Sequence, residues 1–358
     1  MIARLVLLAT LAIGSTAAPA TKPKSIILII GDGMGPAHFT ATQLLRGAES
    51  KLSTMPVTGL VITECTDSPV TDSAAAATAI ASGVKTKYRA VGVDAEGRPV
   101  GTVLEAAEKR GWSTGLVTTA NFWDATPAAF AAHTPSRNST AIIIGQMLSS
   151  NVEIIVGGGS TQLGTKDIDT LDTLTARHKY VGARSLSELQ AAKGDRILGV
   201  FPTQKNEVEV PDAPLPQLAS WAIDHLSHDK DGFFAMIEHE GTDGSSHNND
   251  TLAFEASARS FDETVNVALE FQSRNPDVLV VVTGDHETGG LQIAPEKIGA
   301  TLEFRWATGS HTGEMIPIFA KGPGAETFMG LMYSSDVGKR LKSLVEIPRR
   351  RATITVRP

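Results

Sequence analysis

The amino-acid sequence predicts an α/β fold with a central, mostly parallel sheet and helices on both faces. Three observations carry that expectation. Short apolar runs rich in β-branched residues recur along the 358 residues, helical patterns separate them, and glycines and acidic residues follow several runs directly. Continuous apolar runs suit strands buried on both faces, and their alternation with helices suits a layered α/β sheet. A hydrophobic content of 42% is enough to bury a large core. No repeat or linker divides the chain, so residues 21–347 read as a single domain.

Before that domain, Arg4 precedes an apolar run from Leu5 to Ile13, followed by small residues and Ala18-Pro19-Ala20. This is the three-part pattern of a secretory signal peptide over residues 1–20, too short for a membrane span, and it implies a periplasmic or extracellular location. Cys65 is the only cysteine, so no internal disulfide can form, and it reads as a small buried hydrophobe. Parallel strands are expected at SIILII (25–30), TGLVTT (114–119), VEIIV (152–156), GFFAMI (232–237) and VLVVVT (278–283), with weaker candidates at TGLVIT (58–63) and MIPIFA (315–320). The stretch VTDSAAAATAIASG (70–83) predicts a helix beginning near Ser73, because alanine favours helix most and Thr71 or Asp72 can cap it. A longer helix is expected over 251–273, where Phe254, Ala258, Phe261, Val265 and Ala268 share one face. Residues 157–173 and the polar region to about 212 read as a surface excursion, and residues 348–358 as a basic, solvated tail.

In open α/β sheets, ligands bind beyond the carboxyl ends of the strands. The residues found there are of metal-binding types. Asp32 sits within Gly31-Asp32-Gly33-Met34-Gly35, and Asp124 and Thr126 follow the 114–119 run. Glu238, Asp243 and His247 follow 232–237, Asp285 and His286 follow 278–283, and His311 precedes the final run. Each alone is an ordinary turn or cap residue. Crowded at one rim, the carboxylates would repel strongly unless cations neutralised them. Oxygen and imidazole donors suit zinc, and oxygen-only donors suit magnesium. Neighbours in an extended chain face opposite ways, so Glu238 is expected to face the site with His239 and Glu240 beside it. His133 reads as a loop-holding residue near the site, and His38, His178, His225 and His228 as surface residues. The net charge of −7 argues against nucleic acid or an anionic membrane as the main partner. One question stays open on the residues alone: no His or Lys lies close along the chain to activate Ser73.

Six motifs, GDGMG, VTDSAAAATA, DATPAAFAAHTPSRN, EGTDGSSH, GDHETGG and GSHTGEMIP, occur in an order that resembles the bacterial alkaline phosphatases over nearly the whole mature chain. The resemblance implies a secreted phosphomonoesterase acting on small-molecule phosphate monoesters, with Ser73 as the phosphate-accepting nucleophile and Arg137 as the phosphate clamp. It implies two zinc ions and one magnesium. Asp243, His247 and His311 would hold one zinc; Asp285, His286 and Asp32 the second, with Asp32 bridging toward magnesium. Thr126 and Glu238 would complete the magnesium ligands, and Asp124 would organise the water shell. Zinc can stabilise a serine alkoxide as it stabilises hydroxide, so Ser73 would need no side-chain base. Gly244 departs from the family, which often has Lys, His or an aromatic residue there; with no Lys to pair with it, Asp124 is expected to serve the water shell. The chain is short for the family, which implies an open mouth that accepts many alcohols, and relatives are commonly homodimers. Two rivals remain at this stage: a phosphodiesterase of the same superfamily, and a non-catalytic periplasmic binder of metal or phosphate.

Overall fold

Every residue of β1 (Ser25–Gly31) is buried, and its alternating side chains enter two different cores. Ile26, Leu28 and Ile30 join one apolar cluster, while Ile27 and Ile29 join the other. Such a strand must lie at the centre of a sheet covered on both faces. The computed structural model describes residues 22–165, 167–203, 213–294 and 302–346. The signal-peptide and tail segments fall outside those residues.

After β1 the chain forms α1 (Pro36–Arg46), β2 (Val57–Ile62), α2 (Ser73–Ser82), α3 (Val103–Arg110), β3 (Ser113–Asn121), α4 (Ala125–Ala131), α5 (Thr140–Ser149) and β4 (Ile154–Gly158). Next come α6 (Leu171–His178), β5 (Val181–Ala183), α7 (Leu186–Ala191), β6 (Ile197–Val200), α8 (Leu215–Leu226), β7 (Phe233–His239), α9 (Gly241–His247), α10 (Thr251–Arg274) and β8 (Val278–Gly284). Two-stranded ribbons pair β9 (Glu287–Thr288) with β12 (His311–Thr312) and β10 (Leu291–Ile293) with β11 (Phe304–Trp306). The described chain closes with β13 (Ile316–Lys321), β14 (Gly330–Tyr333) and α11 (Ser334–Val345).

The ten-stranded sheet has the order β14-β2-β13-β8-β1-β7-β3-β4-β6-β5. All its pairings are parallel except the two made by β13, which runs antiparallel to both β2 and β8. The 315–320 run is therefore a strand, but not a parallel one. Among the described residues, the chain returns from β8 to β13 through the ribbons β9 to β12 with no helix between them. The stretch to residue 212 also differs from expectation: β5 and β6 extend the main sheet, and Ile197, Leu198 and Val200 are fully buried.

Register sets the site. Gly31 lies level with His239 of β7 on one side and Gly284 of β8 on the other. The residues that follow, Asp32, Glu240 and Asp285, therefore leave the sheet at one height. On one face, α2 and α4 pack together and against α11 and α3. On the other, the expected apolar face of α10, from Phe254 to Ala268, is wholly buried.

Candidate active site and metal centre

The loop after β1 brings Asp32 over the sheet edge, and Gly33 lets it turn there. Its φ is +70°, and a Cβ at this position would lie 2.8 Å from Asp243 Oδ1 and 2.9 Å from Thr288 Oγ1. Only glycine fits. The Gly33 N–H then donates to Asp285 Oδ1 at 3.1 Å, joining the first strand's loop to the β8 loop.

Three groups of potential ligands assemble here: Asp243, His247 and His311; Asp32, Asp285 and His286; and Asp32, Glu238 and Glu240. Nε2 of His286 lies 3.2 Å from Asp32 Oδ1, 3.3 Å from Asp285 Oδ2 and 3.2 Å from Ser73 Oγ. The serine at the head of α2 thus meets the atom around which the second group converges. Asp72, not Ser73, caps that helix by accepting from Ala75 N–H.

The chemistry of the donors fits cations. Each of the three histidines has Nδ1 against an oxygen: Thr71 O for His311 at 2.9 Å, Gly309 O for His247 at 2.9 Å, and Thr288 Oγ1 for His286 at 3.2 Å. Thr288 donates its own proton to Asp243 Oδ1, so it can accept from His286. Nδ1 therefore carries the proton in each ring, and each Nε2 lone pair faces the cluster. His247 and His311 bring Nε2 to within 3.1 Å of each other, and the rings of His286 and His311 stack at 3.7 Å. A cation or a shared proton between them would relieve lone pairs so opposed. Buried oxygens call for the same relief: Asp285 Oδ2 and Glu238 Oε1 accept no hydrogen bond, and Thr126 Oγ1 beside Glu238 makes none of normal geometry.

The sequence match then places the chain. The alkaline phosphatase family profile covers residues 23–305. The chain belongs to the alkaline phosphatase family. It is 29% identical to alkaline phosphatase 3 of Bacillus subtilis, over 89% of this chain and 88% of that one. It is 30% identical to streptomycin-6-phosphate phosphatase of Streptomyces griseus, over 93% of each. Among solved structures, alkaline phosphatase from the Antarctic bacterium TAB5 superposes with a TM-score of 0.83 at 28% identity, covering 91% of this chain and 99% of that one. A His-to-Asp mutant of the TAB5 enzyme with Mg bound in its M3 site matches equally well, with the same score, identity and coverage.

In this alkaline phosphatase the electrostatics follow from burial. Asp285 is pushed up to about 7 and Glu238 to about 8, chiefly by desolvation and also by neighbouring carboxylates. Asp32 is raised well above the usual carboxylate range by burial and by Asp285, Asp243 and Glu238. Asp243 moves the other way: burial would raise it, but the neighbouring imidazoles of His247, His286 and His311 hold it low.

Arg137 spans two carboxylates, with Nη1 at 3.1 Å from Asp72 and Nη2 at 3.1 Å from Asp124. Asp124 therefore has a cationic partner in Arg137, although Gly244 offers no Lys to pair with it. It lies outside the three ligand groups, and although it stands at the N-cap of α4 its side chain makes no capping bond. His133 holds its loop, bonding to Gly92 O and to Glu105. His38 is a correction: it is fully buried, takes the Gly35 N–H at 3.2 Å, and pairs with Ser246 Oγ of α9 at 3.2 Å. Burial lowers it to about 3, so it stays neutral. Sequence reasoning offered Asp72 as a cap but missed its pairing with Arg137, and it missed the places of Thr288 and Glu240. For Glu240 a signal existed, since residues two apart in an extended chain share a face with Glu238.

Proposed function

We propose that this alkaline phosphatase hydrolyses phosphate monoesters through a phosphoserine at Ser73, within a site for two zinc ions and one magnesium. The approach of Ser73 Oγ to His286 Nε2, the atom that also meets Asp32 and Asp285, supports this reading most directly. Asp243, His247 and His311 would hold the more exposed zinc, and Asp32, Asp285 and His286 the buried one. Asp32, Glu238 and Thr126 offer only oxygen and suit magnesium, to which Glu240 adds a further carboxylate. When bound, the zinc ions supply Lewis acidity that favours ionised Ser73 and a charged leaving oxygen.

The chain's own groups do the rest. The N-terminus of α2 presents its dipole to an anion arriving beside Ser73. Asp72 fixes that end of the helix and steers Arg137, whose fork can engage two phosphate oxygens. A diester would place a second substituent where Arg137 and the magnesium ligands lie, so a monoester dianion fits better. The TAB5 mutant with magnesium in its M3 site is in keeping with an aspartate favouring that ion.

Among the described residues no helix is long and apolar enough to cross a membrane. We carry export through residues 1–20 and a homodimer as parts of the same reading, checked by amino-terminal sequencing of the secreted protein and by light scattering. The deciding experiment is Ser73→Ala. It should lose most turnover of a chromogenic phosphomonoester while keeping its zinc, and acid quenching should trap phosphate on the wild type alone. Undiminished turnover in the variant would remove Ser73 from the mechanism.

A further inference from the structure

Arg89 occupies a backbone position that suits glycine. It is the third residue of a turn closed by Ala90 N–H to Lys87 O at 3.1 Å, and its φ is +66°. A positive φ there favours Gly or Asn, and a side chain kept against that preference is a reason to look for function. Among the described residues, the two other non-glycine residues with positive φ follow helix ends: Lys179 after α6 and Asn249 shortly after α9.

The turn is tied to the phosphate cradle through both of its backbone groups. Arg89 N–H donates to Asp72 Oδ1 at 2.8 Å, and Arg89 O accepts from Arg137 N–H at 2.9 Å. The first contact reaches the residue before Ser73 and the second reaches the clamp itself. The side chain is exposed, and its Nη2 donates to the neutral Asn138 Oδ1 at 2.6 Å. No carboxylate pairs with it among the described residues. Arg137, in contrast, has its charge balanced by Asp72 and Asp124. Asp124 stays partly exposed beside Arg137, so a substrate with a second negative group would gain from a further cation nearby.

We infer that Arg89 is a specificity-determining residue, receiving a second anionic group on the leaving-group side of a phosphate monoester. The inference rests on the phosphatase reading above. The favoured class is monoesters whose alcohol carries a carboxylate or a further phosphate.

The test uses the zinc- and magnesium-loaded enzyme with phenyl phosphate and 4-carboxyphenyl phosphate as matched probes. The readout is the ratio of kcat/KM for the carboxylated ester to that for the plain one. Arg89→Gly suits the backbone, so the variant should fold, with a Tm close to the wild type. For a solvent-exposed charge pair, the ratio should fall about three- to fivefold at low salt. Added salt should shrink the wild-type preference toward the variant's, since exposed charges are screened. Arg89→Lys should keep most of the ratio. An unchanged ratio in Arg89→Gly would overturn the inference and leave Arg89 as a turn residue. If the wild type hydrolysed neither ester, the phosphatase reading would fall first, and this assignment with it.

Discussion

Replacing Arg137 by alanine separates clamping of phosphate from bracing of the loop. In the folded chain its side chain is 19% exposed, and the two arms of its guanidinium rest on Asp72 and Asp124, each at 3.1 Å. Burial lowers its affinity for a proton, but Asp124, Asp72 and Glu240 outweigh that and hold it fully charged. A charge-assisted hydrogen bond contributes about 1.5–3 kcal/mol, or about one to two decades in affinity. Removing the arginine also exposes an arriving phosphate to two carboxylates that were balanced before, so the upper end of that range is expected. Inorganic phosphate should thus inhibit Arg137→Ala about a hundredfold more weakly, on the scale of such contacts, with KM rising in parallel. The fold should survive, because Asp72 keeps the N–H groups of Ala75 and Arg89. Inhibition constants for phosphate, with Tm as the structural control, decide the matter. A lowered Tm with unchanged phosphate inhibition would refute the clamp and leave Arg137 a brace.

Gly33→Ala should cost about 1–2 kcal/mol for the left-handed backbone and about 1–3 kcal/mol more for crowding, because the new Cβ meets Asp243 and Thr288 below 3 Å; zinc analysis and Tm should both show a loss. Asp124→His should recruit excess zinc to the third site and blunt activation by magnesium, read by metal analysis during magnesium titration; an unchanged response would leave Asp124 serving Arg137 alone. Glu108, far from the site, is raised to about 7 by burial and by Glu153 and Glu105. A carboxyl raised in the folded state contributes stability that is present below its unfolded pKa and lost as pH climbs through the folded value. Glu108→Gln should therefore flatten the decline in stability between about pH 4.5 and 7, leaving the variant more stable at pH 8 by about 1 kcal/mol after allowance for solvent screening; denaturant titrations at both ends of that range check it.

Much of the fold could be read from apolar runs, because a strand buried on both faces needs an unbroken one. β1, β3, β4, β7 and β8 announce themselves this way. β5, β6 and β14 have only three or four residues each, too few to stand out from loops. The direction of β13 was not legible, since an apolar run carries no arrow. The candidate ligand residues were legible as a set, because Asp, Glu and His gathered at strand ends demand an explanation. What holds them was not. His247 and His311 are oriented by the backbone carbonyls of Gly309 and Thr71, groups that every residue carries. Likewise, His38 looks like a surface residue until α10 and β11 pack Phe254 and Trp306 around it.

The convergence at His286 has a consequence for assembly. Ser73 and His286 are 213 residues apart in the chain, and Gly33 and Asp285 are 252 apart. Contacts of such sequence separation close large loops and make folding slow. No fragment that ends before β8 can build the buried candidate ligand group, so a nascent chain could not capture an ion there early. Whatever binds there selects the finished sheet over every partly folded state and adds stability by mass action. An ion bound there would work as a proofreader of completed folding, and its removal should loosen the whole domain instead of one loop.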